Sequence, residues 1–293
     1  MSSPSSPSTT TKSRLVFGSD DALFGSIEKE QGERDFGNFL DAGTGLHSIR
    51  WIATLPEKGL THFTAVTADK TMQTNVQKEV DELDISPMGN VIIGNWFGEP
   101  PIELKENSYD TILADYLIGA MDGFSPYKQD LMIAKLLQYL KPGGRLYIVG
   151  LEPIPDEAPG DADIICQVRR VRDACILLAG HRCYREYPLE WILRQIRQQY
   201  SNELKLIHST RFPILYRHAT IVKQINVGRS KIPYFPNPEL AEAMKELLND
   251  LEERSREATE RSGGRIKLGF DYIVTAEKLT SSRDGLSEEF KDC

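Results

Sequence analysis

Short apolar runs alternate with amphipathic segments through residues 36–151. Five apolar runs bounded by polar or glycine-containing turns predict β-strands, at 38–43, 62–69, 90–96, 109–118 and 145–154. Apolar side chains that recur on one helical face, or polar segments between the strands, predict helices at 46–55, 71–83 and 127–140. Strands that alternate with helices at this spacing predict a mainly parallel sheet covered on both faces.

The second half of the chain is less regular. The pattern predicts helices at 164–180 and 187–200 and strands at 204–212 and 266–279. A helical insertion is predicted between these strands at about 213–264, with Asn237 as N-cap and Pro238 in the first turn of its main helix. The apolar stripe of that helix is typical of core packing, and a substrate lid or a dimer surface are the alternatives. The stripe consists of Leu240, Met244, Leu247, Leu248 and Leu251.

Composition narrows the class of protein. The 293 residues are 40% hydrophobic and 27% charged, which is ordinary for a globular domain. The formal net charge of −8 disfavours a nucleic-acid surface, and no apolar run is long enough to cross a membrane. A cytoplasmic protein with reduced thiols is expected, because the cysteines lack any metal-binding or disulfide-like spacing. They are Cys166, Cys175, Cys183 and Cys293.

The stretch "FLDAGTGLHS" at 39–48 places Asp41, Gly43 and Gly45 at the end of the first strand. A glycine turn there lets a nucleotide-like ligand approach bare backbone, although an ordinary tight β-to-α turn has the same pattern. A dinucleotide-binding turn has a third glycine where this chain has Ser48, and Asp41 would repel a pyrophosphate. The turn therefore disfavours an NAD(P)-dependent oxidoreductase.

The motifs "LDAGTG", "AVTAD", "YDTILADYL" and "LKPGGRLYIVG", in this order, resemble those of class I S-adenosylmethionine-dependent methyltransferases. The resemblance covers 36–151 and extends more loosely to "GFDYIVTAEK", which corresponds to an antiparallel final strand. It implies an α/β fold, a three-layer α/β/α Rossmann-like sandwich with a mainly parallel seven-stranded sheet and helical additions. We expect a single methyltransferase domain at 19–280, a disordered tail at 1–18 and a flexible tail at 281–293.

The resemblance also implies a cofactor site for S-adenosylmethionine. Asp41, Gly43 and Gly45 would line its methionine end. The chain departs from the family at the end of the second strand, where an acid normally bonds the ribose. Thr67 occupies that position, and Asp69 is the nearest acid.

The ends of the next two strands complete this expected site. Asn95 would meet the adenine, with Trp96 as a stacking wall or a core residue. Asp115 and Tyr116 would face the sulfonium and the acceptor, although Tyr116 is also compatible with core packing. The expected catalytic residues are Asp115, Tyr116 and His181.

A general base is required only if the acceptor loses a proton. The candidates are Asp115, Asp122, His181 and Tyr184, and a structural or substrate-shaping role is the more typical one for His181. No metal site is expected.

Five arginines between residues 169 and 185 bear on the acceptor. In the related fold this segment covers the acceptor pocket, and clustered arginines suit a carboxylate or phosphate. Arg172, Arg182 and Tyr184 are therefore the expected substrate-binding residues, and a solvated helix face is the alternative. The amino-methylating "NPPY" motif is replaced by "ADYL", which with the acidic charge favours a small molecule over nucleic acid.

The sequence thus predicts a methyltransferase that acts on a small molecule, with no nucleic-acid or membrane partner and with homodimer formation left open. A catalytically inactive, methyltransferase-like binding protein is the main alternative.

Overall fold

The structure is a computed structural model, and it describes residues 22–280. These residues contain a seven-stranded sheet whose strands are β1 Gly37–Asp41, β2 Leu60–Thr67, β3 Gly89–Ile93, β4 Tyr109–Asp115, β5 Leu140–Leu151, β6 Leu204–Tyr216 and β7 Ile266–Lys278. The strand order is β3-β2-β1-β4-β5-β7-β6, and β7 runs antiparallel to both β5 and β6. The predicted sandwich and its antiparallel last strand are confirmed. The predicted tails at 1–18 and 281–293, with Cys293, lie outside the described residues.

Helices cover both faces of the sheet. They are α1 Ala22–Gln31, α2 Leu46–Ile52, α3 Lys70–Glu82, α4 Leu117–Ala120, α5 Met132–Leu137, α6 Asp163–Leu178, α7 Leu189–Arg194, α8 His218–Arg229 and α9 Pro238–Arg261. Because neighbouring strand residues point to opposite faces, Leu40 and Ile112 join one core with α5 and α7. Phe39 and Leu113 join the other core with α1, α2 and α3.

The predicted helix at 127–140 is wrong at both ends. Tyr127 has a left-handed backbone (φ 67°), and α5 begins only at Met132 after a single 3-10 turn. The "LKPGG" motif does not end a helix but opens β5, since Leu140 already pairs with Tyr109. The strand pairing is irregular at this point, where Gly143 adopts a φ of 78°.

Other boundaries shift for local reasons. The fourth strand ends at Asp115 rather than 118 because Tyr116 turns into the left-handed region (φ 48°). The predicted helix at 187–200 is α7 followed by a π-helical turn at Gln195–Gln199. Helix α1 was not predicted; its Phe24 stacks on Trp51, which fixes α1 against α2.

Helices α8 and α9 lie between β6 and β7, in the region predicted to be a helical insertion. The Asn237 side chain accepts the amide hydrogens of Glu239 and Leu240, as expected of the N-cap of α9. Leu248 and Leu251 are buried in a third apolar cluster with α6 and α8. These two residues of the stripe on α9 serve core packing and Met244 packs against the same cluster, whereas Leu247 is exposed.

Candidate functional site

A cavity of about 420 Å³ opens at the carboxyl ends of β1, β2, β3 and β4. Ligands of open α/β sheets bind at this edge. Among the residues predicted for the site, those in the cavity wall are Gly43, Thr67, Asp69, Asn95, Trp96, Asp115 and Tyr184. The wall also contains residues that sequence reasoning missed, notably Met72, Met121, Phe124 and Ser125.

The glycine turn forms the β1 side of the cavity. A Cβ atom at Gly43 would lie 3.1 Å from Leu117 Cδ1, so this position leaves little room for a side chain. Ser48 accepts the Gly45 amide hydrogen (3.1 Å) and is fully buried at the start of α2. Ser48 thus closes the turn where a dinucleotide-binding motif would have its third glycine. Gly45 does not contribute to the cavity wall.

Asp41 lies beneath this turn, with 0% of its surface exposed, and does not line the cavity. Neither carboxylate oxygen has a hydrogen-bond partner of good geometry within residues 22–280. Burial raises the pKa of Asp41 to about 6, and the nearby Ser48 and Thr44 hydroxyls and Gly43 amide only partly oppose that rise. A buried carboxylate that is only partly compensated by hydrogen bonding therefore lies beneath the glycine turn.

Trp96 ties the end of β3 to the glycine turn. Its Nε1–H donates to the Ala42 carbonyl at 2.7 Å, and the side chain is only 7% exposed. The ring packs at a tilt against Tyr139, with centroids 5.9 Å apart. These contacts favour the core-packing interpretation of Trp96, although one part of the residue borders the cavity.

Asn95, which follows β3, forms hydrogen bonds with residues 124 and 125 at the edge of the cavity. Its amide donates to the Phe124 carbonyl (2.8 Å), and its Oδ1 accepts from the Ser125 hydroxyl (2.6 Å) and the Phe97 amide (3.2 Å). The polar atoms expected to meet adenine are thus already bonded. Phe124, which is partly exposed in the wall, offers an aromatic surface there instead.

The end of β2 has two polar groups in place of the usual ribose acid. Thr67 is buried, and its hydroxyl accepts the Asp69 amide hydrogen at 3.2 Å. Asp69 is the N-cap of α3, where Oδ1 accepts from the Met72 amide at 2.6 Å. Both residues line the cavity, and Asp69 is exposed. The bond to the Met72 amide uses Oδ1 of Asp69 and not Oδ2.

A cluster of three titratable side chains forms around Tyr116, at the end of β4, and also contains Asp271 and Glu186. The Tyr116 hydroxyl donates to Asp271 Oδ1 at 2.9 Å, and burial together with the Asp271 charge raises the pKa of Tyr116 far above its usual range. Burial also raises the pKa of Glu186 to about 7, with the Asp271 charge adding to the effect and Arg172 opposing it. Sequence reasoning named neither acid, because Asp271 is 155 residues from Tyr116 and only the fold brings them together.

Comparison with known proteins identifies the fold. No protein-family model and no curated protein matches the sequence. Among solved structures, a candidate methyltransferase from Bacillus halodurans aligns at 12% identity over 88% of this chain and 99% of its own, with a TM-score of 0.55. The YcgJ protein from Bacillus subtilis aligns at 18% identity over 87% of this chain and 97% of its own, with a TM-score of 0.52.

A candidate sarcosine dimethylglycine methyltransferase from Galdieria sulphuraria aligns at 16% identity over 89% of this chain and 85% of its own, with a TM-score of 0.50. This chain has the class I methyltransferase fold. At these identities the similarity is one of fold, and it confirms that part of the resemblance deduced from the motifs.

Several predicted residues lie away from the cavity of this methyltransferase fold. His181 is exposed, with its ring centroid 5.4 Å from that of Tyr234. Arg172 donates to Asp173 (2.8 Å) and Gln224 (2.6 Å), and Arg182 is exposed. Arg172 does not line the cavity because its guanidinium is bonded to its neighbour Asp173 and to Gln224 of α8.

Two further observations concern metal ions and membranes. Within residues 22–280, no three His, Cys, Asp or Glu side chains are grouped so that they could hold a metal ion. Over the same range, each helix is too short or too polar to traverse a bilayer.

Proposed function

We propose that this protein transfers a methyl group from S-adenosylmethionine to a small-molecule acceptor. The observation that carries this proposal is the cavity at the carboxyl edge of a class I methyltransferase sheet, bordered by Gly43, Thr67, Asp69 and Asp115. A cavity of this size lies within the usual range for small-molecule sites. Six of the eight cofactor-binding residues expected from the motif resemblance border this space, and the other two, Asp41 and Gly45, do not.

The chemistry of the site fits the cofactor. S-adenosylmethionine carries an ammonium and a sulfonium, and the buried carboxylate of Asp41 beneath the glycine turn supplies negative potential for such charges. Gly43 would leave backbone accessible to the ligand. Thr67 and Asp69 offer a hydroxyl and a carboxylate for sugar hydroxyl groups.

The bound cofactor supplies an activated methyl group with a good leaving group, so the protein mainly aligns donor and acceptor and excludes water. Asp115 borders the cavity at the end of β4. Tyr116 stays protonated and is held in place outside the cavity lining, since its hydroxyl donates to Asp271. For an acceptor that loses a proton, Asp115 and Tyr184 are the candidate bases that line the cavity, whereas Glu186, with a pKa raised to about 7 by burial, does not line it.

The class of acceptor rests on the arginines of the α6 segment. Arg169 pairs with Asp156 (2.7 Å), and Arg172 is bonded to Asp173 and Gln224. These contacts leave Arg182 as the candidate to meet an anion, because it is exposed and lies two residues before Tyr184, which lines the cavity. We therefore include in the proposal that the acceptor has a carboxylate or phosphate and that Arg182 binds it.

Calorimetry on the full chain with S-adenosylhomocysteine and with NADH tests the proposal directly. We expect binding of the first and none of the second, followed by transfer of labelled methyl from S-adenosylmethionine to members of a small-molecule panel. Absence of S-adenosylhomocysteine binding would favour the inactive, methyltransferase-like alternative. NADH binding would favour the oxidoreductase.

The residue that holds the ribose can be identified by substitution. We expect Asp69→Ala to weaken S-adenosylhomocysteine binding by about 1.5–3 kcal/mol, the value of a charge-assisted hydrogen bond. It also removes the N-cap of α3, at a cost of about 1 kcal/mol in stability. Asp69→Asn preserves a capping oxygen and separates the two effects. A loss confined to Thr67→Val would place the ribose contact at Thr67 instead.

The proposal that the acceptor is an anion leads to a separate prediction. Once a turnover assay exists, Arg182→Ala should raise the acceptor KM about tenfold and leave the affinity for S-adenosylhomocysteine unchanged. The matched control is Arg170→Ala, which removes an exposed charge from α6. Equal effects of the two substitutions, or a preference for uncharged acceptors, would show that the arginines form a solvated surface.

A further inference from the structure

The segment between α6 and α7 crosses over α4 without regular secondary structure. The irregular part of this segment is residues 181–188. It is held near its middle by the Arg185 amide, which donates to the Gly119 carbonyl at 3.2 Å. The Arg185 side chain lies 3.6 Å from the buried carboxylate of Asp122. The backbone of this segment is therefore anchored beside the cavity.

Two glycines provide the surface on which the segment lies. A Cβ atom at Gly119 would come within 2.5 Å of Glu186 Oε2, and one at Gly123 would come within 3.1 Å of Tyr184 Cε1. Gly119 in α4 and Gly123 in the 3-10 turn that follows it therefore both face this segment. Their missing side chains set where Glu186 and Tyr184 rest.

Tyr184 is the residue of the segment that reaches the cavity wall. Its side chain is 58% exposed although one edge of the ring packs on Gly123. Tyr184 and Asp69, at the end of β2, line the same cavity, and burial together with the charge of Asp69 raises the pKa of Tyr184. An exposed aromatic ring at the wall of a ligand cavity has apolar surface that a bound ligand can cover.

We propose that the aromatic ring of Tyr184 closes over bound S-adenosylmethionine at the Asp69 end of the cavity. Tyr184 is then a cofactor-binding residue rather than the acceptor-binding residue predicted from the sequence. The hydrogen bond from the Arg185 amide to Gly119 already positions the middle of the segment, which lowers the entropy lost when the segment and the Tyr184 ring become ordered on closure. The inference rests on the proposed function, because it requires that the cofactor occupies this cavity.

Calorimetry with S-adenosylhomocysteine on the full chain is the primary test. Tyr184→Ala should raise the dissociation constant about 3- to 10-fold, whereas Tyr184→Phe, which keeps the ring, should stay within about twofold of wild type. Tyr127→Ala is the matched control, because Tyr127 is 82% exposed and does not line the cavity. If Tyr184→Phe weakens binding as much as Tyr184→Ala, the ring contact is wrong.

Gly123→Ala gives a second, independent measurement. Its Cβ presses on the Tyr184 ring, so it should weaken S-adenosylhomocysteine binding in the wild-type background and have no effect in a Tyr184→Ala background. Additive effects of the two substitutions would overturn the inference, since Gly123 would then act without Tyr184.

Limited trypsin digestion reports on the segment itself. S-adenosylhomocysteine should slow cleavage after Arg182 and Arg185 in the wild type and in Tyr184→Phe, but not in Tyr184→Ala. If the wild type binds S-adenosylhomocysteine, and Tyr184→Ala binds it equally tightly and is equally protected from cleavage, this inference is wrong but the proposed function stands. A wild type that does not bind overturns the proposed function and this inference together.

Discussion

Gly43→Val is expected to abolish S-adenosylmethionine binding, by at least about 100-fold, while the chain stays folded. A Cβ atom at this position already lies 3.1 and 3.2 Å from Leu117 atoms, and the two further methyl groups of valine would extend into the space between β1 and β4. Calorimetry measures the binding, and circular dichroism checks the fold.

The matched control for this prediction is Gly25→Val in α1, where a Cβ atom meets no other atom within 4 Å. Gly43→Ala should fall between the wild type and Gly43→Val, because its single methyl group still presses on Leu117. Unchanged affinity in a folded Gly43→Val variant would remove the glycine turn from the cofactor site.

Asp41→Asn should stabilise the ligand-free protein by up to about 3 kcal/mol at pH 7.5. The pKa of Asp41 is about 6 in the folded chain against an ordinary value of 3.8 for an aspartate, so the folded state binds the proton more tightly than the unfolded state. Wild-type stability is therefore highest below about pH 3.8 with respect to this group and is lost as the pH rises through about 6. The advantage of Asp41→Asn should shrink to about half at pH 5.

Urea denaturation of both proteins between about pH 5 and 7.5 measures this difference. Asp130→Asn, at an exposed carboxylate, is the control for a general change of charge. Asp41→Asn should also bind S-adenosylmethionine less tightly, because the cofactor is cationic near the sulfonium and the ammonium. An equal stability difference at every pH would mean that the Asp41 charge is not the destabilising element.

The sequence predicted those parts of the fold that depend on local pattern. The apolar runs of β1, β2, β4 and β5 are buried because both faces of a parallel sheet are covered, and such runs are visible in one sequence. The glycine turn was visible for the same reason, since Gly43 and Gly45 follow directly on a strand. The capped start of α9 at Asn237 is also a local signal.

What the sequence did not reveal depends on contacts between distant segments. The "LKPGG" motif contains the usual signals that end a helix, yet pairing with β4 draws it into a strand. Asn95 looked free to bind a ligand because its partners, Phe124 and Ser125, come from a segment about thirty residues later. Asp271 and Glu186 were missed for the same reason, because their neighbours are distant in the sequence and come close only in the folded chain.

The position of Trp96 gives the cavity an optical reporter of its own. The chain has three tryptophans. Trp51 is stacked on Phe24 in the opposite core, and Trp191 packs on Tyr187 with ring centroids 4.6 Å apart. Only Trp96 borders the cavity, and its indole N–H is fixed on the carbonyl of Ala42, next to Gly43. Intrinsic fluorescence from a chain that retains this single indole would therefore follow ligand entry in real time, without any label on the ligand.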